Sequence, residues 1–298
     1  MAKRTHNQNK GLKDQLIKKI KEGIQKSGFP LELEIGNILG RNGWGFVIGN
    51  LYKDFETGKI REIDLLASKL INGVDVNLFI TCKKSEDRQI VLYAPDRKKD
   101  KIIVDPIVKL FPDPMSIKIP FVSTMVPGAF KCLRLFKKNI PFANSLIITK
   151  GSVVTQDNIS YLSSINGLIK KSVHTLAMDE SIKKNYRNLF LYIFVYDGLI
   201  FQLSTSKVEK FDLKEIKYGL LNYKLHYQMD SSSMDTGLMK AVSKLGDEFV
   251  VEIISSTQFE KHISELSDSI EKIDLEMFED WGKPGPPVIR IGKTVKMV

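Results

Sequence analysis

Two extended segments joined by a turn constrain the fold of this chain more than any other feature of its sequence. The segments Ile60 to Ala67 and Val76 to Lys83 are rich in apolar residues, and Asn72 followed by Gly73 is a typical turn signal between strands. A third extended segment, Trp44 to Tyr52, precedes them. The sequence therefore predicts three neighbouring strands in its first hundred residues.

The alternation of side chains along a strand gives the Val76 to Lys83 segment two distinct faces. The side chains that we predict to enter the core on one face are those of Leu78, Ile80 and Cys82. Thr81 and Lys83 lie on the other face, where Asp64 of the neighbouring strand can meet them. We expect a carboxylate, a hydroxyl and an ammonium group to lie together on one surface of the sheet.

This combination of groups suits metal-dependent hydrolysis of a phosphodiester. A divalent cation polarises the phosphate and lowers the pKa of a bound water, while a lysine stabilises developing negative charge. Mg²⁺ requires only one or two protein carboxylates, so Asp64 with one partner is sufficient. The alternative for Asp64 is a surface ion pair with Arg61, and the alternative for Lys83 is a solvated pair with Lys84.

Helices are predicted before the strands. Residues 11–26 carry apolar side chains at helical spacing with lysines between them, and a second helix begins near Glu32 and ends near Gly43. Residues 56–59 form the turn that makes the first two strands a hairpin, and Gln89 to Ala94 is a further short strand.

In these residues the chain resembles the PD-(D/E)xK nucleases, in particular the branch that contains type IV restriction endonucleases and Holliday-junction resolvases. In that family a helical glutamate, an aspartate on the second strand and a Glu-x-Lys motif on the third surround the metal. The resemblance covers residues 28–95 and implies catalytic roles for Glu32, Asp64 and Lys83, with Glu34 as a weaker alternative to Glu32. It implies Mg²⁺, or Mn²⁺ in its place, bound by Asp64 and Glu32, and we expect Cys82 to contribute at most its backbone carbonyl.

The sequence departs from the family at Thr81, which stands where the motif has an acid. A threonine hydroxyl cannot supply a charged metal ligand. Cleavage is then lost or weakened while nucleic-acid binding remains, or another carboxylate, Glu62 or Glu86, completes the site. A third explanation is that the residue was changed deliberately. We rank loss or weakening of cleavage first.

We expect an α/β (α+β) fold with a restriction-endonuclease-like mixed sheet flanked by helices and a second C-terminal α/β lobe. The predicted parts are a basic amphipathic helix and tail at 1–27, a nuclease-like core at 28–135, the C-terminal lobe at 136–281 and a Pro/Gly-rich tail at 282–298. The elements predicted within the lobe are a strand at 145–149, a helix at 155–176, a hairpin across Asp197 and Gly198, a strand at 249–254 and a helix with a capping box of Thr257 and Glu260.

The charge of the chain favours a polyanionic partner. Lys and Arg outnumber Asp and Glu by 45 to 35, which gives a net charge of +10. Residues 1–26 hold eight basic and two acidic residues, so 8 − 2 leaves +6 in that segment. We therefore expect DNA as the partner, with phosphate contacts from Lys84, Arg97, Lys98 and Lys99. The alternative is a set of solvated surface charges.

Several classes of protein are excluded by what the sequence lacks. No apolar run reaches the roughly 20 residues that cross a membrane, and no apolar region follows the basic N-terminus as in a secretory signal. Cys82 and Cys132 are too far apart for a paired-cysteine zinc site. We predict a cytoplasmic protein with reduced thiols.

Two functions remain open at this stage. The first is a metal-dependent DNA endonuclease, weakened or inactive at Thr81, in bacterial restriction or phage defence, a setting that only the resemblance implies. The second is a non-catalytic scaffold or protein-interaction module with a vestigial nuclease fold. It would bind a protein partner through the basic helix or the Pro-rich tail, or a protein partner or second copy through the C-terminal lobe. Salt-sensitive DNA binding separates the two, because phosphate contacts release counterions.

Overall fold

A computed structural model describes residues 2–94, 109–111, 140–155, 158–178, 187–207, 210–225, 236–272, 289–291 and 294–296. Its helices are α1 (Ala2–Lys26), α2 (Phe29–Arg41), α3 (Asn158–Met178), α4 (Thr236–Leu245) and α5 (Ser256–Ile270). Its first seven strands are β1 (Gly45–Lys53), β2 (Ile60–Ile71), β3 (Val74–Tyr93), β4 (Lys109–Phe111), β5 (Phe142–Ala143), β6 (Ser145–Lys150) and β7 (Val153–Val154). The remaining strands are β8 (Arg187–Lys207), β9 (Lys210–Ile216), β10 (Tyr218–Lys224), β11 (Glu248–Ser255), β12 (Ile289–Ile291) and β13 (Thr294–Lys296).

The architecture is mixed α/β, with a large mixed sheet between helices. The main path of the sheet runs β1-β2-β3-β8-β11-β10-β5. The pairs β1–β2 and β2–β3 are antiparallel, whereas β3–β8 and β8–β11 are parallel. Parallel strands are buried on both faces, which explains the continuous apolar run of β8 from Leu189 to Tyr196.

Helices cover both faces of the sheet. On one face α2 and α5 pack on a core that includes Leu78, Ile80 and Cys82, so the predicted sharing of a core face by these three residues is confirmed. On the opposite face α3 and α4 pack on a second core that includes Phe79. Thr81 is also buried, at 4% exposure.

The sheet does not divide at residue 136. β3 from the predicted nuclease-like core pairs along its length with β8 from the predicted C-terminal lobe. The two predicted units therefore share one sheet. At the C-terminus, β12 and β13 form a small antiparallel pair within the predicted Pro/Gly-rich tail.

Two local predictions are wrong. The two strands predicted at 76–83 and 89–94 are one strand, β3, whose register shifts between Lys84 and Gln89. The hairpin predicted across Asp197 and Gly198 does not exist, because β8 runs straight through it. A Cβ at Gly198 would lie 2.6 Å from the ring of Tyr196 and 2.8 Å from the carbonyl oxygen of Ser85, so this glycine permits close packing instead of a turn.

The N-cap of α5 differs from the prediction, and α1 has exposed apolar side chains. Ser255, and not the predicted Thr257, is the N-cap residue of α5. The predicted N-terminal helix is present as α1, and its apolar residues Leu16, Ile20 and Ile24 are exposed. Lys13, Lys18, Lys19 and Lys21 of the same helix are exposed as well. Among the described helices, none has the length and apolar character that crossing a membrane requires.

Candidate functional site

The candidate site forms where β2 separates from β3. Pairing between the two strands ends at Leu65 opposite Ile80, while β3 continues beside β8. The backbone N–H of Cys82 therefore has no strand partner on this edge, and it donates to Oδ2 of Asp64 across 2.6 Å. The Asp64 carboxylate thus accepts the hydrogen bond that a neighbouring strand would otherwise accept.

Thr81 completes the contact. Its Oγ1 donates to the same carboxylate oxygen, Oδ2 of Asp64, across 2.7 Å. Within the described residues no donor lies on Oδ1 of Asp64, so that oxygen is available to a ligand. The alternation rule correctly places Asp64 and Thr81 on one surface.

Four charged groups from three elements share this neighbourhood. Burial raises the pKa of Glu32 on α2, and the nearby carboxylates of Asp64 and Glu62 raise it further, while Lys83 opposes them. These effects place Glu32 within electrostatic range of Asp64 and Lys83. Glu34, the weaker alternative to Glu32, is exposed.

An open cleft of about 340 Å³ lies beside these groups, between β2, the middle of β3 and α3. Its charged lining residues are Arg61, Glu62, Asp64 and Lys83. From α3 the cleft is lined by the small residues Ser163, Ser164 and Gly167, and by Leu168. The cleft is thus lined by two basic side chains and two carboxylates, and the small residues of α3 leave room between them.

A buried ion network at the end of the β1–β2 hairpin was missed by sequence reasoning. Asp54 is fully buried, and its carboxylate accepts a bond of 2.7 Å from Nε of Arg61 and bonds of 3.2 Å from Nζ of Lys170 to both oxygens. Lys170 also lies 2.6 Å from Oε2 of Glu56. Asp54 precedes a turn, but nothing in its surroundings in the sequence indicates a partner 116 residues away.

The protonation of this network follows from its contacts. Burial alone would raise the pKa of Asp54, but the hydrogen bonds from Lys170, the backbone N–H of Glu56 and Arg61 outweigh it, so the pKa is lowered. Burial and the nearby Asp54 raise the pKa of Tyr52 to about 12. Asp54 is therefore ionised and Tyr52 keeps its proton at neutral pH.

The other predicted residues fall outside the cleft lining. Lys84 is exposed and forms an ion pair of 3.7 Å with Asp197. Glu86, one of the two acids considered as a replacement for Thr81, is exposed and does not line the cleft, whereas Glu62 does. The predicted DNA contacts Arg97, Lys98 and Lys99 lie outside the described residues.

The thiol of Cys82 is an unsuitable metal ligand. Burial, together with Asp64 and Glu32, raises its pKa well above the ordinary value, so the thiol stays protonated. A thiol binds metals as the thiolate. Any contribution of Cys82 to a metal would come from its backbone.

The described residues offer few donors to a divalent cation. No group of three or more His, Cys, Asp or Glu side chains in the described ranges is placed to hold a metal ion. Mg²⁺ keeps several waters and takes one or two carboxylates. Of the two predicted ligands, Asp64 lines the cleft and Glu32 does not. The repulsion that raises the pKa of Glu32 is the kind that a cation relieves.

Comparisons with known proteins add no relative: no family model, no curated protein and no solved structure matches the chain.

Proposed function

We propose that the protein binds DNA in this cleft with nuclease-type phosphodiester chemistry, and that cleavage is weakened or lost because Thr81 replaces an acid. The observation that supports this most directly is that Asp64, bonded to Thr81, lines one cleft together with Lys83 at the point where β2 leaves β3. The setting in bacterial restriction or phage defence rests on the resemblance alone.

Each residue of the site has a distinct role in this proposal. Asp64, whose Oδ1 accepts no bond from the described residues, and Glu32 would hold Mg²⁺ or Mn²⁺, and the ion would supply Lewis-acid activation of the phosphate. Lys83 lines the cleft and would stabilise negative charge on the phosphate. Thr81 donates to Asp64 and so fixes the carboxylate, but adds no charge.

Weakened cleavage ranks ahead of a rescued site. Thr81 lines the cleft, but it is 4% exposed and its hydroxyl already donates to Asp64, so it offers no negative charge to a metal ion. Glu62 lies within electrostatic range of Glu32 and lines the cleft, so it is the acid among the described residues that could compensate. Its side chain is exposed, which makes a fixed metal contact entropically costly.

A second candidate function is a scaffold that binds another protein. The observation in its favour is the apolar stripe of α1, where Leu16, Ile20 and Ile24 are between 46% and 58% exposed. Exposed apolar surface of this kind often marks an interaction site. This function requires no DNA binding.

The test combines binding and cleavage. Linear, circular and branched DNA are incubated with the purified protein and Mg²⁺ or Mn²⁺, beside Asp64→Ala, Thr81→Glu and the control Asp247→Ala, which removes an exposed acid that does not line the cleft. Cleavage that disappears only with Asp64→Ala would identify an active enzyme. Cleavage by Thr81→Glu alone would identify a nuclease disarmed at one residue.

A protein that neither cuts nor binds DNA at low salt would contradict the proposal and favour the scaffold. Binding that weakens steeply with salt, in the absence of cleavage, supports the non-cleaving form.

A further inference from the structure

The guanidinium of Arg61 is held in a fixed orientation at the cleft. Its Nε donates to the buried Asp54, which Lys170 binds from α3. The side chain of Arg61 is nevertheless 44% exposed, and its terminal nitrogens bond to no residue that the structure describes. An arginine anchored through Nε presents its other two nitrogens together to a ligand.

The network that anchors Arg61 is a weak source of stability. Burying Asp54 and Lys170 carries a desolvation penalty that the attraction between them does not reliably exceed. Asp54 already accepts backbone hydrogen bonds from Glu56 and Thr57, which hold the turn. The network does fix the orientation of the Arg61 side chain, and we take this to be its main effect.

Tyr52 lies opposite Arg61 in the register of the β1–β2 hairpin. It is 3% exposed and lines the cleft, and its hydroxyl has no hydrogen-bond partner among the described residues. A buried hydroxyl without a partner costs about 1–3 kcal/mol. Its presence beside an oriented arginine points to a partner that enters the cleft.

Gly167 faces Tyr52 from the middle of α3. A glycine inside a helix costs about 1 kcal/mol relative to alanine. A Cβ at this position would lie 3.4 Å from the hydroxyl of Tyr52, which is an ordinary contact, so packing does not require glycine. The missing side chain leaves a gap the size of a methyl group beside the hydroxyl, which is itself buried from solvent.

We propose that Arg61 and Tyr52 form a second phosphate subsite in the cleft, which binds the phosphate next to the one at Asp64 and Lys83 on the same nucleic-acid strand. A phosphate suits the subsite because guanidinium nitrogens bind phosphate oxygens in pairs, and a tyrosine hydroxyl adds a further donor. This inference rests on the proposed function for the identity of the ligand. It does not depend on whether the protein cuts.

The subsite lies apart from the Asp64 centre. Arg61 and Asp64 are three residues apart on β2, which separates their Cα atoms by about 10 Å at the usual rise of a strand. The bond to Asp54 also directs the guanidinium toward the hairpin turn. Two phosphates of one strand therefore match the two positions better than one phosphate shared between them.

The experiment uses the full chain without divalent cations. A single-stranded oligonucleotide is titrated by fluorescence anisotropy at several salt concentrations, with the variants Arg61→Gln, Tyr52→Phe and Gly167→Ala. The control is Arg41→Gln, since Arg41 is exposed, pairs with Glu260 on α5 and does not line the cleft. Unfolding temperatures are recorded for every protein.

We expect Arg61→Gln to weaken binding about tenfold and to reduce the salt slope by about 0.7, the value for one phosphate contact on a single strand. Tyr52→Phe and Gly167→Ala should weaken binding severalfold while the unfolding temperature stays the same or rises, which a purely structural role would not produce. Binding by all three variants that equals that of Arg41→Gln would overturn the subsite.

A titration with inorganic phosphate separates this inference from the proposed function. Phosphate should shift the NMR signals of the Tyr52 ring, and Arg61→Gln should abolish the shift. A protein that binds phosphate in this way but no oligonucleotide retains the subsite and loses the proposed function. Oligonucleotide binding that Arg61→Gln leaves unchanged retains DNA binding and rejects the subsite. A protein that binds neither probe rejects both.

Discussion

Thr81 and Asp64 are joined by a hydrogen bond of 2.7 Å, in which the threonine hydroxyl donates to Oδ2 of the carboxylate. The residue that stands in place of an expected acid therefore serves the remaining acid as a donor. An acid at this position would face Asp64 as a like charge, which is tolerated where a cation lies between two carboxylates and is unfavourable without one. Because threonine donates a hydrogen bond and carries no charge, the contact between Thr81 and Asp64 is favourable without a metal ion.

We expect Thr81→Glu to depend on a divalent cation for stability. Glutamate is larger than threonine and position 81 is buried, so unfolding should become easier by about 1–3 kcal/mol in EDTA. Mg²⁺ should restore much of this loss because it binds only the folded state. Thermal unfolding with and without Mg²⁺ measures both effects, and Thr81→Gln is the uncharged control, which the ion should stabilise less than it stabilises Thr81→Glu. Equal responses of the two variants to Mg²⁺ would contradict the prediction.

Glu32 should limit stability at neutral pH. Its pKa is raised by burial and then by Asp64 and Glu62, so the folded state binds a proton that the unfolded state has already released between the ordinary and the raised pKa. Stability falls as the pH rises through that window. We expect Glu32→Gln to raise the unfolding temperature at neutral pH without metal, and the gain to vanish below the ordinary pKa of a glutamate.

The control for this measurement is Glu34→Gln, which changes an exposed acid on the same helix. If the two variants shift the unfolding temperature alike across the pH range, the repulsion between Glu32 and its neighbours is not significant.

Asp54 should have the opposite effect on the pH dependence of stability. Its pKa is lowered in the folded state, where the bonds from Lys170, Glu56 and Arg61 outweigh burial, so its contribution is complete above the ordinary pKa of an aspartate. The contribution is lost as the pH falls through the folded-state pKa. Asp54→Asn should cost about 3 kcal/mol at neutral pH, as removal of one partner from a buried pair does, and the loss should shrink on acidification.

Denaturant unfolding at several pH values measures this effect, with Asp212→Asn as a control at an exposed acid. A constant difference between Asp54→Asn and the starting protein at every pH would show that the charge of Asp54 contributes no stability.

The contacts of the site that the sequence predicts are those between neighbouring strands. Asp64, Thr81 and Lys83 follow from alternation along two segments joined by a turn, and Cys82 follows from the opposite phase. The network of Asp54, Arg61 and Lys170 cannot be predicted in this way. Lys170 lies on α3, 116 residues from Asp54 in the sequence. Local patterns carry no information about such a pairing.

The fold shows the same limit. The hairpin β1–β2 is predicted because its turn is local, whereas the pairing of β3 with β8 joins segments more than a hundred residues apart. That pairing merges two predicted units into one sheet. Turn signals such as Asp197 followed by Gly198 mislead when the glycine serves close packing between strands.

Gly198 provides a direct test of that explanation. A methyl group there would meet the ring of Tyr196 and the carbonyl oxygen of Ser85 at distances that atoms do not adopt, so Gly198→Ala should destabilise the protein by about 1–3 kcal/mol. Gly23→Ala is the control, since nothing lies within 4 Å of a Cβ at Gly23, and it should stabilise α1 by up to about 1 kcal/mol. Denaturant midpoints measure both changes. If Gly198→Ala is as stable as the starting protein, the strands are not in the close contact that requires glycine, and a turn at this position regains support.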